Sequence, residues 1–126
     1  TDGEYTYFRV PSSYDNYPCY IYTAIPTTLR RYLGTGIENQ IEAGRFLKYT
    51  NYPVFKIPVS YKDERANHLN YIRNNLLFDI VNDYKQQNPI NDSSLEDEMI
   101  QKLILAMRYA DSPDEQFERL NLKSYD

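Results

Sequence analysis

The only histidine, His68, stands four residues after Glu64, and Asp79 stands four residues before Asp83. At that spacing two side chains meet on one face of a helix. A histidine with a carboxylate partner suits general acid–base work. Two adjacent carboxylates suit a divalent cation or a shared proton. Each pair also has a plainer reading. Glu64 and His68 make an ordinary surface contact, and Asp79 with Asn75 and Asn82 makes a wet polar face. A metal site would need further oxygen ligands, and no Glu-x-x-His motif accompanies the aspartates. The plainer reading is preferred for both, with no catalytic residue, metal or cofactor assigned.

The third constellation is sharper. Arg30, Arg31, Arg45, Lys48, Lys56 and Lys62 interleave with Tyr32, Tyr49, Tyr52 and Tyr61. Aromatic rings beside cations hold single-stranded nucleic acid without sequence preference. Tyrosine and arginine are equally the residues that dominate protein–protein hot spots. The balance of charge decides between them. Residues 1–62 carry seven Lys/Arg against five Asp/Glu, whereas residues 63–126 carry seven against thirteen. A chain of net charge −4 with so acidic a second half is poorly suited to a broad phosphate-binding surface. Protein contact is therefore the leading expectation. Nucleic acid, through Arg30, Arg31, Lys48, Tyr49 and Tyr52, is the alternative.

Other chemistries find little purchase. Gly34-Thr35-Gly36 has neither the lysine of a P-loop nor the third glycine of a dinucleotide fingerprint. Cys19 is the single cysteine, which removes an intrachain disulfide and any Cys/His zinc cluster. No serine stands in a nucleophile-elbow context. A small hydrolase is the least favoured reading, and the chain is expected not to be an enzyme.

The elements that would carry these residues are read from periodicity. Glu4–Val10 alternates, placing Tyr5, Tyr7 and Arg9 opposite Thr6, Phe8 and Val10, as in a strand. A loop rich in Pro, Ser and Asn leads to a second strand over Cys19–Ile25, and the two are expected to pair antiparallel. A short helix through Tyr32 ends at Gly34, and another is expected from Thr35 or Gly36 to about Lys48. Val54–Val59 reads as a third strand, which Pro58 places at a sheet edge or beside a bulge. From Asp63 to Gln87, Leu69, Ile72, Leu76, Leu77, Ile80, Val81 and Tyr84 recur as a helical stripe. Asn88-Pro89 ends it. Another helix opens at Ser93 or Ser94 with Leu95, Met99, Ile100, Leu103, Ile104 and Met107 on its apolar face. Ser112-Pro113-Asp114-Glu115 has the makings of a capped start for a last short helix.

The expected fold is α+β: a small antiparallel tyrosine-rich sheet in the N-terminal half, packed against two to three C-terminal helices. Length and composition suit one domain over residues 1–126, and a chain that opens on Thr1 is expected to be cut from a longer protein or trimmed after synthesis. No apolar run approaches the roughly 18 residues that span a bilayer, so no membrane contact is expected. A lone cysteine favours a reducing compartment, cytoplasm or nucleus. Fourteen tyrosines and no tryptophan, eight of the tyrosines before residue 50, complete the functional expectation. It is an interaction or assembly module that meets a protein partner through Tyr14, Tyr17, Tyr20, Arg30, Arg31 and Tyr32. Tyr14 and Tyr17 lead, on an exposed loop. Pairing of tyrosine-bearing edge strands between copies is a further expectation.

Overall fold

The computed structural model describes residues 1–13, 16–25, 40–59 and 73–123. Among these it is an α+β protein in which antiparallel strands are joined by one long and one short C-terminal helix. The strands are β1 (Tyr5–Phe8), β2 (Tyr20–Thr23), β3 (Glu42–Gly44), β4 (Val54–Pro58) and β5 (Leu76–Asp79). The helices are α1 (Ser93–Tyr109) and α2 (Asp114–Arg119).

The first two strands do not pair with each other, contrary to expectation. β1 pairs antiparallel with β5, setting Tyr7 opposite Leu77, while β2 pairs antiparallel with β4, setting Tyr22 opposite Lys56. The connection between β1 and β2 is drawn elsewhere: the Ser12 N–H donates to the Arg119 carbonyl at 2.8 Å. The second sheet has the order β2-β4-β3. β4 is therefore central, and Pro58 is its last residue, opposite Tyr20 but beyond the reach of β3. The Val59 N–H donates to the Cys19 carbonyl. Since successive amides point to opposite edges, the N–H that Pro58 lacks would face the side β3 has already left.

Two expected helices give way to strand and turn. Residues 42–44, expected within a helix, form β3, and Gly44 explains the local preference. A Cβ there would lie 3.0 Å from the Phe46 ring, so glycine lets that ring cover the strand. The helix expected over 63–87 is replaced in its described part, 73–87, by β5 and a series of turns. Both Leu77 and Phe78 are buried, so β5 faces apolar neighbours on both sides and shows no alternation. The Asp79 carboxylate accepts from the Val81 and Asn82 amides at 3.0 and 2.9 Å, closing the first turn. Asp83 accepts from the Gln87 and Asn88 amides at 2.8 and 2.7 Å. The first half of that expected helix, with Glu64 and His68, lies outside the described residues.

The C-terminal helices follow the sequence closely. The Asp92 side chain caps α1 by accepting from the Ser94 and Leu95 amides, and Glu96 sits in the first turn, where the helix dipole favours an anion. Ile100 and Ile104 of α1 pack with Phe117 of α2 and with Leu122, and Tyr7 of β1 lies against this core. Polar ties reinforce the packing. The Tyr7 hydroxyl donates to Glu96 at 2.8 Å, the Asn75 amide donates to the same carboxylate at 2.8 Å, and Arg9 donates to the Leu120 carbonyl at 3.0 Å. The cap expected for α2 does not form. Pro113 holds the cap position without a side-chain hydrogen bond, and Glu115 is drawn elsewhere.

Candidate functional site

Glu115 is drawn to the face of the second sheet. Alternation places Tyr20 and Tyr22 on one side of β2, and the pairing sets Tyr22 beside Lys56 and Lys56 beside Glu42. The Lys56 ammonium lies 4.3 Å from the centre of the Tyr20 ring, 5.5 Å from that of Phe46 and 6.0 Å from that of Tyr22. It also lies 3.4 Å from the Glu115 carboxylate, to which the Tyr22 hydroxyl donates. The Lys56 and Glu115 side chains are only 20% and 16% exposed. A lysine enclosed by three rings and a carboxylate has its charge compensated from within by cation–π attraction and an ion pair. Lys56 therefore adds no open cation to the basic strip. Sequence reading missed Tyr22, Phe46 and Glu115 here, and the alternation of Tyr20 with Tyr22 was the one available signal.

Beside this cluster stands Tyr17, whose side chain interacts with that of Tyr20. Burial pushes the Tyr20 phenol above its ordinary range, and Tyr17 pushes it in the same direction. Tyr17 itself is 61% exposed. Its backbone is held by Ser13, whose hydroxyl accepts from the Tyr17 amide and donates to the Tyr17 carbonyl, both at 3.0 Å. Next to it, Asn16 has a φ of 58°, a left-handed conformation that asparagine tolerates. The Asn16 side chain accepts from Arg119 of α2 at 2.7 Å. Residues 16 and 17 are thus tied both to the Ser13 hydroxyl and to the helical half.

Of the residues proposed for partner contact, Tyr17 and Tyr20 lie side by side. Tyr14, Arg30, Arg31 and Tyr32 lie outside the described residues. Lys48, Tyr49 and Tyr52 all sit on the turn between β3 and β4, and all are exposed, the tyrosines to 66% and 56%. The turn is closed by Thr50, whose amide and hydroxyl both donate to the Leu47 carbonyl. Lys48 reaches Asp111 at 3.5 Å, linking the turn to the connection between the helices.

The remaining candidates are engaged in structure. Asp79 and Asp83 serve the turns described above, and hydrogen bonds from Asn82 hold the Asp79 carboxyl below its usual range. Among the described residues no group of three His, Cys, Asp or Glu side chains could hold a metal ion. Burial pushes the Cys19 thiol up, with Arg119 opposing weakly, which is the setting of an unreactive cysteine. No described helix is long and apolar enough to cross a membrane. Compared with known proteins, the chain matches no family model, no curated protein and no solved structure.

Proposed function

We propose that this chain is a non-enzymatic interaction module of a larger protein or complex, meeting a protein partner through the surface around Tyr17 and Tyr20. One observation carries the reading: Tyr17 is a largely exposed aromatic ring whose backbone is held by Ser13 and whose neighbour Asn16 is held by Arg119. A tyrosine offers a large contact area with few rotors, and a backbone already held at residues 16 and 17 has less freedom to lose there on binding. Tyr14, Arg30, Arg31 and Tyr32 belong to the same proposed surface on sequence grounds.

The test is capture from a lysate of the source organism, with and without nuclease, using the wild-type chain and Tyr17→Ala as paired baits. A hot-spot tyrosine contributes about 2 kcal/mol or more, so the variant should retain the partner at least tenfold less well. The same protein recovered equally by both baits would remove Tyr17 from the interface.

A second reading is favoured by the joint exposure of Lys48, Tyr49 and Tyr52 on one turn, which with Arg30 and Arg31 would form a single-strand platform. Lys56, which the sequence interleaves with the same tyrosines, is withdrawn into its aromatic box and adds no cation to that platform. A catch that vanishes with nuclease and weakens steeply with salt would transfer the assignment to it.

A further inference from the structure

The outer face of α1 carries an apolar ridge. On the side away from Ile100 and Ile104, Leu105 is 64% exposed and Tyr109 is 96% exposed, with Ala106 and Ala110 exposed beside them. Leu105 and Tyr109 stand four apart and so share one stripe of the helix. Along the flank of the same helix runs an open cleft of about 120 Å³, walled by Tyr7, Met99, Leu103 and Ala106 and rimmed by Asp2 and Lys102. A cavity of roughly 150 Å³ accepts a benzene ring, so this cleft is of the size to take most of a phenol. Ala106 belongs to both ridge and cleft, which makes the protruding ring and the hollow neighbours on one surface.

We infer that α1 pairs antiparallel with α1 of a second copy of this chain, the Tyr109 ring of each entering the cleft beside Ala106 of the other. A surface that carries both a knob and a matching hole is complementary to itself under a two-fold axis. Side chains on a helix lean toward its N-terminus, which carries the Tyr109 ring back over the preceding turn. The ring then reaches the partner's cleft when the two helices cross near the level of Ile104. The small side chain of Ala106 lets them approach there. The polar rim suits the phenol, because the Asp2–Lys102 pair, 2.7 Å apart, lies at the mouth where the Tyr109 hydroxyl would arrive.

Charge favours the same direction. Asp97 and Glu98 stand in the first half of α1 and Arg108 in its last turn, so an antiparallel pair sets each acidic end beside the partner's basic end and opposes the helix dipoles. Glu98 already meets Lys102 at 2.7 Å, so these charges set orientation more than strength. Two tyrosines at about 150–250 Å² each, two leucines and the helix flanks bring the buried area to about 1,000 Å². That is the low end for a specific interface, and the dimer is accordingly weak, with a Kd of about 100 µM. None of the residues proposed for contact with another protein takes part.

The experiment is sedimentation equilibrium of the whole chain from about 10 µM to about 1 mM, where the average mass should rise from 15.0 kDa toward twice that value. Tyr109→Ala removes the knob and Ala106→Leu fills the hole. Each should weaken dimerisation about a hundredfold, about tenfold for each of the two symmetric contacts. Both positions are exposed, and circular dichroism checks that each variant keeps its helices. Mixing the two variants isolates the contact, because the mixed dimer regains one knob in one intact cleft. The mixture should therefore associate about tenfold more tightly than either variant alone. A wild-type chain that stays monomeric to about 1 mM would overturn the inference. So would a dimer that Tyr109→Ala leaves unchanged, or a mixture no tighter than its components.

Discussion

Replacing Glu115 by Gln tests the central tie between the second sheet and α2. The substitution keeps the shape of the side chain and removes its charge. In the wild type that carboxylate accepts from the Tyr22 hydroxyl and faces the Lys56 ammonium at 3.4 Å, with both side chains of the ion pair about four-fifths buried. A hydrogen bond to a charged acceptor contributes about 1.5–3 kcal/mol, and a neutral amide retains part of it. Breaking a fully buried ion pair costs about 3–5 kcal/mol, and an exposed one about 0–1. This pair lies between those limits, and the Tyr20, Tyr22 and Phe46 rings still stabilise the lysine by cation–π attraction. The expected loss for Glu115→Gln is therefore about 2 kcal/mol. Urea denaturation provides the assay, with a midpoint lowered by about 1 M at a slope of about 2 kcal/mol/M. Lys56→Met completes a double-mutant cycle, since it preserves the stem that packs on the rings while removing the ammonium. The double variant should be less destabilised than the sum of the singles by about 1–2 kcal/mol. Strict additivity of the two changes, with unaltered slopes, would refute the ion pair as a tie. A neutral Glu115→Gln would refute the whole account of why α2 lacks its expected cap.

Two further outcomes follow from the core and its polar edge. Burial raises the Tyr7 phenol from its ordinary value of 10 to about 12, with the Glu96 carboxylate adding to the rise and Arg9 opposing it. The unfolded chain then releases that proton first. The stability held by the neutral phenol is complete below pH 10 and lost as pH rises toward 12. After allowance for solvent screening this amounts to about 1 kcal/mol, and denaturation at pH 8 and pH 11 should show it in the wild type as an excess over Tyr7→Phe. Identical pH dependence in both proteins would show that the phenol does not matter there. Leu122→Ala removes a fully buried side chain beside Phe117 and should cost about 3 kcal/mol by calorimetry or urea. Hydrogen exchange should quicken first at the Leu122 amide, which donates to the Phe117 carbonyl at 2.7 Å. A loss below about 1 kcal/mol would mean the site collapses around the cavity and the C-terminal segment is not a keystone of the core.

By itself, the sequence determined what depends on near neighbours in the chain. The stripe of Met99, Ile100, Leu103, Ile104 and Met107 defines α1 because 3.6-residue periodicity is a local property, and the alternation in Tyr5–Phe8 and Tyr20–Thr23 defines strands for the same reason. The α+β class was legible on that basis. Pairing was not. Leu76, Leu77, Ile80 and Val81 fit a helical stripe as well as a buried strand, because a strand with apolar neighbours on both faces has no alternation to betray it. Only tertiary contact with β1 decided that β5 is extended. Glu115 likewise looked like a local capping residue. Its competing partners, Tyr22 and Lys56, lie 93 and 59 positions away, and no local rule weighs a distant cation and hydroxyl against a nearby amide. Local periodicity sets which segments can be helix or strand, while the free energy of burying and compensating distant charges sets where they meet.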